Sequence, residues 1–275
     1  VACVGLASQY DAELPNHCDT FAKAGLIRIG RWIRLLRKQG VTEAFLVGKV
    51  RKARMYDPLR MFRQMPDLRA AKLWYRVLKH DRRSQSLLRA VADELASEGI
   101  QLTDTRKYIP ELLADEGCMT RCSLTPAQQA DVDFAWPLVQ KLNALDIGQA
   151  IAVKDCEVVA VEAIEGTDEM IRRAGGICRR GGFVVVKTAM PHHDMRLDVP
   201  TVGPITMETL KASGGGALIV EAGRVLIAEK PRVLEMAARF GIPIVGMAFP
   251  RPIDERGAGD VTGEVNVGNV GDINA

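Results

Sequence analysis

The sequence predicts an α/β protein of two domains: an N-terminal Rossmann-like parallel sheet that is incomplete, and a C-terminal mixed α/β domain. Three observations carry this. Short, branched, nearly continuous apolar runs such as "VACVGL" and "EAFLVGKV" have the pattern of strands buried on both faces. Segments with apolar residues at helical spacing alternate with them through short links, the pattern of a doubly wound sheet. The chain, at 275 residues, is long enough for two ordinary domains and a sizeable core.

Each element has its own signal. "VACVGL" reads as a strand already under way at Val1, and the expectation is that an upstream segment is missing. In "LIRIGRWIRLLRKQG", Ile29, Ile33 and Leu36 recur at helical spacing and Gly40 marks the stop. "DLRAAKLWYRVLK" and "SQSLLRAVADELASEGI" read as amphipathic helices, the second ending at Gly99. Trp32, Trp74, Met61 and Met65 read as packing residues. A second domain opens near "TPAQQADVDFAWPLVQKLNALDIGQ", where Thr125 caps and Pro126 takes the first helical position, and Pro137 bends the helix. "AIAVKDCEVVAVEA" gives two strands across a tight turn at Asp155-Cys156. "GFVVVKTA", "GALIVEAGRVLIAE" and "PIVGMAF" are further strands, with the helix "PRVLEMAARFG" among them. The expected division is 1–120, 121–250 and a disordered tail, 251–275, rich in Gly, Asn and Asp.

Composition excludes several classes. The stretch Gly25–Arg60 carries ten Lys and Arg against two acids, yet the whole chain has a net charge of only +3. That is too even a balance for a dedicated nucleic-acid binder, so the local excess points to a smaller anion or an anionic membrane surface. Apolar runs are too short to span a bilayer. The six cysteines are scattered, which reads as reduced thiols rather than a disulfide framework.

Two stretches are dense in chemistry. In "EGTD", Glu165 to Asp168, a strand hands over to a helix; Thr167 or Asp168 is a natural N-cap, and the free N–H groups there suit a phosphate, with Arg172 and Arg173 one turn on. In "KTAMPHHDMRLDVPTVGP", Asp194, Arg196 and Asp198 keep period two and would share a face if extended. Two carboxylates flanking a guanidinium suit Mg²⁺ beside a phosphate, and a surface ion pair is the competing reading. Gln149 in "ALDIGQAIAVKD" and Lys49 and Arg51 in "LVGKVRKAR" add polar groups near predicted strand ends.

Taken together, "VGKVRKARMYDPLR", "ALDIGQAIAVKD", "VEAIEGTDEMIRRAGG" and "DMRLDVPTVGPITMETL", in this order, resemble the LpxI-type UDP-2,3-diacylglucosamine pyrophosphatases. The resemblance runs from about Val1 to about Phe249. It implies Mg²⁺-dependent hydrolysis of UDP-2,3-diacylglucosamine to UMP and 2,3-diacylglucosamine 1-phosphate, in lipid A biosynthesis. It also implies work at the cytoplasmic face of the inner membrane, as a peripheral protein, with the substrate between two α/β domains. Asp198 matches the family's essential acid and is expected on Mg²⁺ or on the attacking water, with Asp168 as second metal ligand and Asp168 or Glu165 as base. Thr167, Lys187, Arg196 and Thr201 are expected at the substrate, with Lys49, Arg51, Gln149 and Arg172 as further contacts. No nucleic-acid partner is expected, and a homodimer stands as a candidate assembly. The family's opening strand and Gly-rich loop are not found here, so a non-catalytic relative that binds a nucleotide or lipid phosphate is the alternative. Cys156 stands where the family's hairpin turn usually has Gly, and His193 where Gln is common.

Overall fold

The computed structural model describes residues 1–6, 10–48, 65–78, 84–189 and 194–248. Lys49, Arg51, Met61, His193 and the tail 251–275 lie outside them.

Among its described residues, the N-terminal half has short parallel pairs and three α-helices. Strand β1 (Ala2–Leu6) pairs with β2 (Thr20–Ala24), a strand the sequence did not announce. Helix α1 (Ile29–Lys38) buries Ile29 and Ile33. Gly40 follows at φ +68°, where a side chain would be strained. Strand β3 is only Glu43–Ala44 and pairs in parallel with β4 (Gln101–Leu102). Between these lie α2 (Leu68–Leu78) and α3 (Ser84–Ser97). Two corrections follow. Among the described residues the Rossmann-like parallel sheet is two separate two-stranded pairs, because "EAFLVGKV" leaves the ladder after Ala44, with Val47 77% exposed. Trp74 and Met65 are exposed rather than packed inside, whereas Trp32 does pack against the core and donates to the Gly25 carbonyl at 2.8 Å.

The C-terminal half is one six-stranded sheet. In chain order its strands are β5 (Gly117–Cys118), β6 (Ala150–Lys154), β7 (Glu157–Val161), β8 (Val184–Lys187), β10 (Ala217–Glu221) and β12 (Ile244–Met247). Across the sheet the order is β5-β12-β10-β8-β6-β7. The three central strands β8, β10 and β12 are parallel, and β5, β6 and β7 add antiparallel edges. Helix α4 (Pro126–Ala144) covers one face, where Val132, Ala135 and Val139 meet Val184, Val186 and Ile219. Helices α5 (Thr167–Ile177), α6 (Pro204–Ala212) and α7 (Lys230–Phe240) cover the other, where Met170, Met207 and Val233 meet Val185, Leu218 and Val220. Alternate residues of one strand thus serve opposite faces, and this is why "VVV" and "ALIV" are apolar throughout. A small parallel pair, β9 (Thr201–Val202) with β11 (Leu226–Ile227), lies beside the sheet.

Local signals are met where the backbone demands them. Thr125 and Gln128 form a reciprocal capping box at α4. The turn between β6 and β7 places Asp155 at φ +53° and Cys156 at φ +59°, and the Cys156 N–H donates to Asp131 Oδ1 at 2.7 Å. All six cysteines are free thiols.

Candidate functional site

The polar groups converge where the central strands end. Lys187 is the last residue of β8, and Ala150, which opens β6, lies opposite it in the antiparallel register. Since β6 and β7 are also antiparallel, Glu162, which follows β7, comes to this same edge. Helix α5 begins a few residues later, so its amino end lies there too.

Three buried side chains meet at this edge. Lys187 Nζ donates to Thr167 Oγ1 at 2.5 Å, and Thr167 Oγ1 donates to Glu162 Oε1 at 2.9 Å. The hydroxyl has one proton, so giving it to Glu162 leaves its lone pairs for Lys187 and fixes the direction of the chain. Glu162 Oε2 lies 4.0 Å from Lys187 Nζ and has no hydrogen-bond partner, although it is buried. Gly148 makes the arrangement possible: a Cβ there would lie 1.9 Å from the Glu162 carbonyl oxygen.

The chain beyond β8 is fastened just as firmly. Asn143 Nδ2 donates to Thr188 Oγ1 at 2.6 Å and to the Ala189 carbonyl at 3.2 Å. The Ala189 N–H donates to Glu221 Oε2 at 2.7 Å, and Arg224 pairs with Glu221 Oε1 at 3.1 Å. Burial pushes the Glu221 carboxyl up, against the pull of those two partners.

Helix α5 starts in a way the sequence did not suggest. Its N-cap is Gly166, at φ +88° and ψ +165°, a backbone region that is essentially glycine's own. Neither Thr167 nor Asp168 caps, because both are inside the first turn. Thr167 turns inward to Lys187, and Asp168 Oδ1 accepts from Thr206 Oγ1 of α6 at 2.9 Å. No side chain caps this end, so its N–H groups and helix dipole remain to act on an anion.

The other expected residues are distributed around this centre. Gln149 lies beside it, its carbonyl accepting from the Thr188 N–H at 2.9 Å. Glu165 pairs with Arg173 at 2.7 Å and accepts from the Ala163 N–H at 3.2 Å. Burial works to raise its carboxyl, but these bonds outweigh it and hold it below the usual range. Arg172 pairs with Glu169 at 2.6 Å and reaches Thr209 Oγ1 at 3.4 Å. Arg196 and Asp194 do not lie along an extended strand: residues 195–197 form a turn, closed by the Leu197 N–H on the Asp194 carbonyl at 2.9 Å. Within it Arg196 grips Asp194 at 2.6 and 2.9 Å, which holds the Asp194 carboxyl below its usual range. The period-two face drawn through Asp194, Arg196 and Asp198 is therefore not formed. Asp198 and Thr201 are both exposed, and Thr201 Oγ1 donates to the Val199 carbonyl at 2.8 Å.

Sequence reasoning missed Glu162, Asn143 and Thr188. Glu162 carried one usable signal: it is an acid directly continuing the apolar run "EVVAVEA". Among the described residues no three His, Cys, Asp or Glu side chains gather as a metal cage. The carboxylates of Asp168 and Asp198 supply the hard oxygen that Mg²⁺ prefers, and that ion commonly takes only one or two protein carboxylates, leaving phosphate oxygens and water to complete its shell. Either carboxylate by itself has the chemistry to hold Mg²⁺ in that form.

Comparison with known proteins shows the family. The LpxI N-terminal domain matches residues 1–112, and the LpxI C-terminal domain matches residues 115–245. UDP-2,3-diacylglucosamine pyrophosphatase LpxI of Caulobacter vibrioides is 30% identical over 234 residues, covering 82% of this chain and 81% of that protein. With both domains matched in order and a relative aligned over most of its length, this chain belongs to the LpxI family.

Proposed function

We propose that the chain hydrolyses the pyrophosphate of UDP-2,3-diacylglucosamine, giving UMP and 2,3-diacylglucosamine 1-phosphate in lipid A biosynthesis. The observation that carries this reading is the Lys187–Thr167–Glu162 cluster at the uncapped amino end of α5, in a chain of the LpxI family. Such an end favours a phosphate through free N–H groups and the helix dipole, and Lys187 adds a donor beside it. The substrate's acyl chains belong in a membrane, so the chain works as a peripheral protein at the cytoplasmic face of the inner membrane. No described helix is long and apolar enough to cross one.

In the reaction, a water oxygen joins one phosphorus as the bridging P–O bond breaks, the electron pair stays with the bridging oxygen on the departing phosphate, and the water's protons pass to a carboxylate and on to solvent. Mg²⁺, held by Asp198 with Asp168, would supply charge neutralisation on the phosphates. Lys187 and the α5 N–H groups, that of Thr167 among them, hold phosphoryl oxygens, with Gln149 beside them. Glu165 is engaged by Arg173, whereas Glu162 touches Thr167 and keeps Oε2 without a hydrogen-bond partner, 4.0 Å from Lys187 Nζ, so Glu162 is the acid we assign to take the water's proton.

The test is UMP release from UDP-2,3-diacylglucosamine in detergent micelles, with and without Mg²⁺, for wild type and Asp198→Ala. Turnover that needs both the ion and Asp198 supports the reading. Tight substrate binding without UMP release, from folded protein, overturns it and makes the chain a binding relative.

A further inference from the structure

The outer face of α2 is not the polar surface an amphipathic helix normally shows to water. Ala70 and Leu73 are buried, and on the opposite side of the helix lie Leu68, Ala71, Lys72 and Tyr75, all exposed. Leu68 is 91% exposed and Tyr75, two turns on, is 68% exposed. Trp74 borders this stripe and is itself 48% exposed. Isolated apolar residues on a surface need no explanation, but a leucine and two aromatics along one short helix do.

The charge on this side has one dominant sign. Helix α2 carries Arg69, Lys72 and Arg76 and no acid, and α1 carries Arg31, Arg34, Arg37 and Lys38 and no acid. Arg31, Arg34 and Lys38 recur at i, i+3 and i+7, on one exposed side of α1. The two helices border one hollow of about 680 Å³, lined by Arg34 and Arg37 of α1 and by Leu68, Arg69 and Ala71 of α2. Acids do enter: Asp67 lines the same hollow, its carboxylate taken up by the Arg31 and Ala70 N–H groups at 3.2 and 2.9 Å, and others come from α3 and its end. Glu98 pairs with Arg37 at 2.7 Å and with Arg69 at 2.6 Å, and Glu94 reaches Arg69 at 3.1 Å. They engage the inner cations, while Arg34 and Lys72 stand beside the apolar stripe.

We infer that the α1–α2 face docks on an anionic lipid bilayer. A helix of this kind lies in the interface plane, with its leucine and aromatic side chains at the headgroup–acyl boundary. Lys and Arg suit the rim because their aliphatic stems cover apolar surface while their charges meet lipid phosphates. A protein partner would also take apolar residues, but the excess of cations over the whole face favours a sheet of negative charge. The inference leans on the proposed function only for expecting a membrane-borne substrate.

The test is co-sedimentation of the full chain with sucrose-loaded vesicles of phosphatidylglycerol and phosphatidylethanolamine, against phosphatidylcholine alone. Wild type should bind the anionic vesicles, and less so as salt rises. Leu68→Ser with Tyr75→Ser should lower the partition coefficient by about tenfold. Arg34→Gln with Lys72→Gln should lower it to a similar degree on anionic vesicles. Circular dichroism should show all of these variants folded, since every substituted side chain is exposed. Absence of vesicle binding, or binding unchanged in both variants, overturns the inference. So does concentration-dependent dimerisation that the Leu68/Tyr75 variant abolishes while vesicles are ignored, which would give the face to a second copy. Protein that releases UMP from micelles yet ignores vesicles loses this inference alone, and protein that binds vesicles yet releases nothing loses only the catalytic reading.

Discussion

The two halves of the chain solve the same packing problem with unequal resources. In the C-terminal half, a six-stranded sheet is covered on both faces, and Phe183, Val185, Leu218, Ile219 and Val220 are fully buried. Among the described residues of the N-terminal half, two two-stranded pairs lean on three α-helices, and within β1 only Gly5 is buried. The difference assigns tasks: a rigid sheet can hold polar groups to tenths of an ångström at its edge, whereas a lightly packed layer can present apolar and cationic side chains outward. Precision belongs to one half and surface to the other.

The comparison can be broken most directly by core truncation. Phe183→Ala should cost about 3–5 kcal/mol, because the side chain is fully buried between strand and helix layers. Val4→Ala, in half-buried β1, should cost well under half of that. Urea unfolding of both variants checks the contrast, and equal losses would abolish it. Next in size is Lys187→Met, expected to lower UMP release by about 10²–10³-fold while the fold persists. A fall that matches lost stability instead would reduce Lys187 to a core residue.

Gly166→Ala should cost about 1–3 kcal/mol, since the N-cap of α5 occupies a backbone region closed to side chains. Unfolding midpoints read this, and a neutral result would mean the helix can start elsewhere. Glu221 offers a pH test. Its raised carboxyl keeps a proton in the folded chain to higher pH than in the unfolded chain, so its contribution to stability falls as pH rises from the ordinary glutamate range through the raised value. The unfolding free energy of wild type minus that of Glu221→Gln should therefore slope downward across that window, and a flat difference would remove burial as the governing effect. Smallest is Cys156→Gly, which should stabilise by about 0.5–1 kcal/mol: relief of a left-handed side chain is partly offset by glycine's entropy. Thermal unfolding checks the sign.

How much of this was legible in the sequence follows the same division. The hairpin at Asp155-Cys156, the capped start of α4 and the strands β8, β10 and β12 were readable, because local signals and tertiary packing agree there. The N-terminal sheet was over-read. "EAFLVGKV" has the right side chains for a strand, but β3 finds a partner for only Glu43 and Ala44, and apolar pattern alone cannot report a missing neighbour. At the site, Thr167 and Lys187 were named from the motif, yet Glu162 was passed over for Glu165. Both are acids beside the same turn. Only the antiparallel register of β6, β7 and β8 decides which one faces Lys187, and that pairing joins residues too far apart in sequence to be read from spacing.

Leu197 belongs to the C-terminal half by position but is buried in the core of the N-terminal helices, with Ile33, Leu95 and Ile100. Three residues on, the Pro200 carbonyl accepts from the Leu226 N–H at 2.8 Å, back in the C-terminal half. Only Asp198 and Val199 separate these two anchors. The three Cα–Cα links from Leu197 to Pro200 span about 10–11 Å at full stretch, which sets the limit on how far the two anchors can part. Asp198 therefore stands on the link between the two cores, so where its carboxylate lies depends on both halves and not on one alone.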